Sequence, residues 1–422
     1  AMSYKEREHL NRLIISQLYY DGHQSIAVKL NSLVNDKSVP CGPSSRLLNL
    51  VRTGLSLEEE EKEKAMHDAN AVEPGTGIDL EIESETVAKS PEAALYETCY
   101  VTSHKAPCRS AAFSPSGQLV CTGSTDASIK ILDIERMLLK GMGGDDGSSE
   151  SHPVIRTLYD HTEEVTCLEF HPDPRLTLLA SASKDYYVKL FDYSNPSVKK
   201  AQRSLREASP VRTFCFHPSG NYMIVGCDQP TLRVYDVSTG QCFVSCNPND
   251  QHTRALTMLR WAGSGQYYCS ASKDGCLKLW DGVSGRCVAN FERAHDGYEV
   301  CSAVFSRNGK YILSSGKDSQ VKLWELSTGR PLITYTGAGA SGRQSHRTNA
   351  VFNHTEDFVM FPDEATKSLC CWDSRSADRQ RLLALSHNGV VRFMTHSTTM
   401  PAFISCSDDH RARFWYKKAL TE

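Results

Sequence analysis

Nowhere in the 422 residues is there an apolar run close to the roughly 20 that a helix needs to cross a bilayer. The N-terminus, AMSYKEREHLNR, is charged and holds no apolar core of a secretory signal, so no membrane contact and no export are expected. Charge of one sign is also lacking. The net charge is −3 and the pI about 6.6, which excludes a wholly basic nucleic-acid binder but leaves room for a local basic patch. Cysteine is plentiful at sixteen, yet no pair has CxxC spacing; the nearest approaches are Cys242/Cys246 and the adjacent Cys370/Cys371. Cys167, Cys215, Cys269 and Cys301 sit in apolar, strand-like runs, where a thiol behaves as a small hydrophobe. Buried free thiols in a reducing compartment, cytosol or nucleus, are therefore expected in place of a zinc site or a disulfide framework. A Gly-rich phosphate loop, a metal-ligand cluster, an RNP signature, an aromatic platform and a basic helix are missing too. Those absences speak against nucleotide or metal cofactors and against sequence-specific base readout.

What is present is repetition. SASKDYYVKLFD at 181–192 returns almost unchanged as SASKDGCLKLWD at 270–281. Related stretches are GSTDASIKILD (123–133), GCDQPTLRVYD (226–236) and SSGKDSQVKLWE (314–325), followed by the degenerate PDEATKSLCCWD (362–373) and CSDDHRARFWY (406–416). The period is about 44 residues, the sequence signature of a repeat architecture. The longer first interval, about 59 residues, holds GMGGDDGSSES (141–151), a Gly/Ser/Asp stretch that reads as a surface insertion. Within the fourth copy, ALTMLRW, YYCSAS, CLKLWD and CVANFE are short apolar runs split by turn residues, as four strands would be.

Seven copies of a four-strand unit with Trp-Asp closing the third strand resemble the WD40 family. The resemblance implies an all-β, seven-bladed β-propeller in which no copy folds alone. It also implies that a His, a Ser or Thr, an Asp and a Trp form a buried hydrogen-bond network in each blade. Blade four supplies His252, Ser270, Asp274 and Trp280; blade five His295, Ser314, Asp318 and Trp324; blade seven His387, Ser405, Asp409 and Trp415. Blade two has His161, Ser181 and Asp185 with Phe191 at the Trp position, and blade one has His104, Thr122 and Asp126 with Leu132. Blades three and six depart, carrying Gln229 and Thr366 at the Asp position. A hydrolase triad uses the same residue types, but a nucleophile is not needed in four places at once. The set is read as architectural and the protein as non-enzymatic.

The chain stops soon after the third strand of blade seven, whereas a strand-like segment, YETCYVTSH (96–104), precedes blade one. That segment is expected to complete blade seven, because an open ring would leave a bare strand edge. The propeller is thus placed at 96–422 and a linker at 66–95, where ANAVEPGTGIDLEIESETVAKSPEAA (70–95) is polar with Pro and Gly. Residues 1–65 read as a small all-α domain. Leu10, Leu13, Ile14 and Leu18 have helical spacing before Gly22, Ile26 and Leu30 lie on a second helix, and Ser44 or Ser45 can cap a third that ends at Gly54. LEEEEKEKA (57–65) reads as a short charged helix. So small a module has a marginal core, and LIISQLYYDGHQSIA resembles the LisH class of dimerisation modules. A homodimer is expected through Leu10, Leu13, Ile14, Leu18, Ile26 and Leu30.

Among the loops, TGAGASGRQSHRTNA (336–350) is the most unusual: its glycines make it flexible, and Arg343, His346 and Arg347 make it locally basic. It is a candidate contact for a partner protein or for RNA. The helical front, EPGTGIDLE (73–81), YETCYVTSHKAPCR (96–109), FVSCNPNDQHT (243–253) and YTGAGASGRQSHRTNAVFNHTEDFV (335–359) occur together, and in sum the chain resembles the WD40 subunits of the cleavage stimulation factor. That resemblance implies a nuclear scaffold in 3′-end cleavage and polyadenylation of pre-mRNA. The family dimerises through its front module, docks a HAT-repeat subunit, leaves RNA mainly to an RRM-bearing subunit and is connected to the RNA polymerase II C-terminal domain. A second reading is a WD40 substrate receptor of a cullin-4 ubiquitin ligase, on the strength of one WDxR tetrapeptide, Trp372-Asp373-Ser374-Arg375.

Overall fold

The computed structural model describes residues 4–34, 42–53, 77–80, 90–141, 152–197, 199–244, 247–339 and 342–417. The chain divides into two compact units, residues 1–71 and residues 72–422. The smaller is helical: α1 (Tyr4–Tyr20), α2 (Gln24–Val34) and α3 (46–53). Gly22, at φ +82°, takes the left-handed conformation that ends α1, and Ser44 Oγ accepts the Arg46 amide (3.2 Å) at the start of α3. The candidate helix at 57–65 lies outside the described residues.

The larger unit is a seven-bladed β-propeller made of seven four-stranded antiparallel sheets. Blades one to six run from Cys108 to Tyr159, Val165 to Arg206, Val211 to Val244, Leu256 to Phe291, Val300 to Tyr335 and Val351 to Ala384. Burial falls from the middle of each sheet to its rim: Tyr311–Gly316 is buried at every position, and Cys242–Val244 at none. The hydrophobic clusters lie between sheets. One joins Ile224 and Leu232 of blade three to Leu259, Tyr268 and Trp280 of blade four. A blade that shares its core with its neighbours has no stability of its own, so the ring must close. Turns are keyed across the same seams. Gly220 and Gly265 have φ of +76° and +71°, and a Cβ on either would strike His171 or His217 of the preceding blade. The fourteen described cysteines are free, and ten of them are buried.

Blade seven combines three strands from the end of the chain with one from its beginning. Glu97–Ser103 pairs antiparallel with Arg411–Tyr416, from Glu97 opposite Tyr416 to Ser103 opposite Arg411. A helix that sequence reading missed, α4 (Ile134–Gly141), packs beside this seam, with Met137 fully buried among Cys108, Ile404 and Phe414. Gly141 comes so close that an added Cβ would stand 3.0 Å from Cys99. The insertion proper, 142–151, lies outside the described residues.

Two parts of the 66–95 stretch, expected to be linker, are seated on the ring. Ile78 is 1% exposed; its amide donates to Glu356 Oε2 (3.1 Å) and its carbonyl accepts from Asn308 Nδ2 (2.8 Å). The Leu80 amide donates to the Tyr311 hydroxyl (3.1 Å), and Asp79 pairs with Lys310 (3.1 Å). Residues 77–80 thus form a strap over blades five and six. Further on, Ser90 bonds Asn353, and Ala93 is fully buried. Replacing Ile78 with Asp would place a charge in this apolar seat, so proteolysis near residue 80 should accelerate severalfold while the melting of the ring changes little. Unchanged cleavage would show that the strap contributes nothing to order.

Candidate functional site

The repeated polar set is where chemistry was most to be suspected, and in blades four, five and seven its geometry is that of a relay locked inside the blade. In blade four, Trp280 Nε1 donates to Ser270 Oγ (2.8 Å), Ser270 Oγ lies 2.6 Å from His252 Nε2, and His252 Nδ1 lies 2.9 Å from Asp274 Oδ2. The indole can only donate and an ionised carboxylate only accept, so the serine hydroxyl donates to Nε2 and the neutral ring carries its proton on Nδ1. Blade five repeats the order through Trp324, Ser314, His295 and Asp318, at 2.8, 2.8 and 3.0 Å. Blade seven repeats it through Trp415, Ser405, His387 and Asp409, at 3.0, 2.8 and 2.9 Å. Blade two keeps His161 between Ser181 and Asp185, both at 2.7 Å, with Phe191 buried where the indole would be. The serines 270, 314 and 405 are completely buried, so no substrate reaches their hydroxyls.

Burial pushes the Asp274 carboxyl up, but His252 and the amides of Cys276 and Thr253 outweigh it and hold the group well below the usual carboxylate range. Asp274→Asn keeps the shape but loses the charged acceptor. It should cost on the order of 1–3 kcal/mol in chemical denaturation; a change within error would remove the architectural role from this residue.

Blade one is built differently. His104 Nε2 lies 2.9 Å from Thr122 Oγ1, but Nδ1 meets Ser128 Oγ at 3.0 Å, and Asp126 stands off at 3.8 Å with its carboxylate turned to Ser128. Burial lowers the His104 ring to about 4, only partly offset by Asp126. Because an unfolded histidine titrates near 6.5, the unfolded chain takes up a proton first as pH falls. This group's contribution is whole above about pH 6.5 and fades towards pH 4, by about 3 kcal/mol at most. NMR of the His104 ring should show it neutral at pH 5.5, and titration near 6.5 would contradict the assignment. Blade three dispenses with histidine: Glu207, 5% exposed, accepts from Tyr235 Oη (2.7 Å) and from Arg233 NH1 (2.6 Å). In blade six, Trp372 Nε1 donates to the Thr336 carbonyl (3.0 Å).

The three basic loop residues do not act as one patch, because Arg347 lines a different cavity from Arg343. Arg343 lies over the Tyr298 ring (4.8 Å), and His346 Nδ1 is 2.6 Å from Glu364 Oε1. Arg347 turns inward to line the cavity on the propeller axis. On the helical unit, Ile15 and Ala27 are the buried apolar side chains among the described residues. Leu13, Ile14, Leu18 and Leu30 are half-buried, while Leu10 is 38% and Ile26 54% exposed. Val28, Leu33, Leu48, Leu50 and Val51, which were not proposed as interface residues, are exposed beside them.

Residues 2–59 match the family model of the cleavage stimulation factor subunit 1 dimerisation domain. Residues 94–274 match the nucleolar protein 10-like N-terminal domain, and residues 285–325 the WD domain, G-beta repeat. Over 419 residues the chain is 36% identical to cleavage stimulation factor subunit 50 of Arabidopsis thaliana, covering 96% of this chain and 95% of that protein. The chain belongs to the cleavage stimulation factor subunit 50 family. Two other relatives match less than half of the chain. COMPASS component SWD3 of Saccharomyces cerevisiae is 26% identical over 46% of this chain and 56% of its own length. Pre-mRNA-processing factor 19 of Bos taurus is 28% identical over 42% of this chain and 31% of its own. The subunit 50 match takes in almost the whole chain, helical front and ring together.

Proposed function

We propose that the protein is a non-enzymatic scaffold subunit of a cleavage stimulation factor, acting in the nucleus in 3′-end cleavage and polyadenylation of pre-mRNA. One observation carries this reading: the similarity to a cleavage stimulation factor subunit runs through both units of the chain. The helical unit pairs with a second copy, and its exposed apolar residues support that, since two buried side chains are too few to hold three helices. The ring docks the HAT-repeat subunit, and RNA is reached mainly through an RRM-bearing subunit. Contact with the RNA polymerase II C-terminal domain falls to the same assembly. Two linked copies raise the effective concentration of weak RNA contacts.

Light scattering of the full-length protein should give about twice 46.9 kDa. Leu30→Asp should return it to the monomer mass with the ring's melting unchanged. A monomer at micromolar concentration in the unaltered protein would refute the pairing. Affinity capture from nuclear extract should bring HAT-repeat and RRM proteins; recovery of a cullin-4 adaptor in their place would favour the ligase reading. The structure offers that reading little, because Arg375 of the WDxR tetrapeptide is engaged by the strap, donating to the carbonyls of Asp79 (3.2 Å) and Gly77 (3.4 Å).

A further inference from the structure

Six of the seven innermost strands carry a register shift at the same place. The residues skipped are Arg109, Thr166, Arg212, Thr257, Cys301 and Arg392. Such a bulge leaves its extra residue without a partner opposite and re-aims the side chain. All six line one cavity of about 240 Å³, to which blade six adds Arg347. A cavity lined from all seven blades lies on the ring axis.

A second set of positions surrounds its mouth. The amides of Lys184, Asp228, Lys273, Lys317 and Asp408 each bond the carbonyl just ahead of their blade's innermost strand. Most charges here are matched. Asp408 takes both Arg109 and Arg392, Glu164 takes Lys184 (2.7 Å), Asp228 takes Arg212 (2.6 Å) and Glu299 takes Lys317 (3.0 Å). With Arg260, which lines the same cavity and is attracted by Glu169, eight cationic groups thus face five carboxyl groups. Among these eight, Arg260, Lys273 and Arg347 are in no ion pair with a described residue. Burial, together with repulsion from Arg212, lowers both Lys273 and Arg347, and Arg347 further disfavours the charge on Lys273. Three like charges thus lie close together, and the carboxylates that attract Lys273 and Arg347, Asp228 and Glu299, are already paired with Arg212 and Lys317.

We propose that the mouth of the axial channel binds a phosphomonoester, presented as the phosphorylated side chain of a peptide, between Arg212, Lys273 and Arg347. A dianion matches the excess of charge better than a single carboxylate, and guanidinium groups offer paired donors to its oxygens. The half-open cavity admits a side chain end-on. A nucleic-acid strand would run along a groove and stack its bases, yet Phe393 is the one aromatic residue in the lining. This inference does not rest on the assembly role proposed above.

The test is fluorescence anisotropy of the full-length protein with a labelled Gly/Ala peptide bearing one phosphoserine. Its unphosphorylated twin and oligouridylate serve as the other probes. The phosphopeptide should bind at least about tenfold more tightly than its twin, and excess inorganic phosphate should displace it. Lys273→Gln and Arg347→Gln should each weaken it about tenfold, roughly 1.4 kcal/mol, whereas Lys200→Gln on the outside leaves it unchanged. Since neither side chain makes a hydrogen bond or ion pair with a described residue, and repulsion from Arg212 offsets the pull of Asp228 and Glu299, both variants should keep their melting temperature, which separates lost binding from lost folding. Equal affinity for the two peptides, or phosphopeptide binding unmoved by both variants, would overturn the proposal. So would variants that abolish oligouridylate binding alone, which would assign the channel to an RNA phosphate.

Discussion

A chain shortened to begin at Lys105 is expected to lose its cooperative fold. Glu97–Ser103 is the outer strand of blade seven, and its removal bares the edge of Arg411–Tyr416 along six paired positions. The same cut removes Tyr96, which is 2% exposed, packs on Phe403 at a ring distance of 5.3 Å and reaches His396 Nε2 at 3.3 Å. Full burial of one aromatic side chain contributes about 3 kcal/mol. With a strand ladder lost as well, the deficit approaches the 5–15 kcal/mol that typically separates folded from unfolded domains. The shortened protein should aggregate through the bare edge or melt without cooperativity. A synthetic peptide spanning 92–104, added in trans, should restore solubility. A soluble monomer melting where the full chain does would show that the ring does not need this strand.

Trp280→Ala should lower stability by about 3–5 kcal/mol, the range for removing a large buried aromatic side chain. Trp280 is fully buried, stacks on Tyr268 with planes 3° apart and gives its N–H to Ser270. The cavity would open between blades three and four, where the shared cluster cannot collapse without moving two sheets. Trp280→Phe should cost much less, about one hydrogen bond's 1 kcal/mol, since Phe191 fills the same place in blade two beside the His161 ring (6.3 Å). Urea denaturation of the two variants side by side decides the matter, and near-equal losses would mean that the indole N–H, not the volume, dominates.

The repeat period and the Trp-Asp stretches were legible because a blade must present the same strands and turns each time it packs against a neighbour. The seven-bladed all-β ring followed from that pattern through its resemblance to the WD40 family, and the helical front from apolar residues at helical spacing. Less legible were solutions that replace one residue type with another at the same point in space. Glu207 fills the histidine position of blade three, and Ser128 comes between His104 and Asp126; both keep buried donors and acceptors satisfied without keeping the motif. The strap escaped for a related reason. Ile78 is one apolar side chain in a polar stretch, and its hold depends on main-chain bonds that leave no trace in composition. α4 was hidden by its brevity, with two buried residues in eight. On the helical unit, Ile15 faces inward, a position that helical spacing alone does not single out. The channel residues Arg109, Arg212 and Arg392 were invisible because bulges shift register without marking the sequence.

A closure that joins opposite ends of the chain also sets a schedule for biosynthesis. Glu97 leaves the ribosome more than three hundred residues before Tyr416, its neighbour in blade seven. At 5–20 residues per second that is a wait of about 15–60 s. Throughout it the early strand needs temporary cover, so nascent chains stalled before codon 411 should be caught by chaperones that released chains escape.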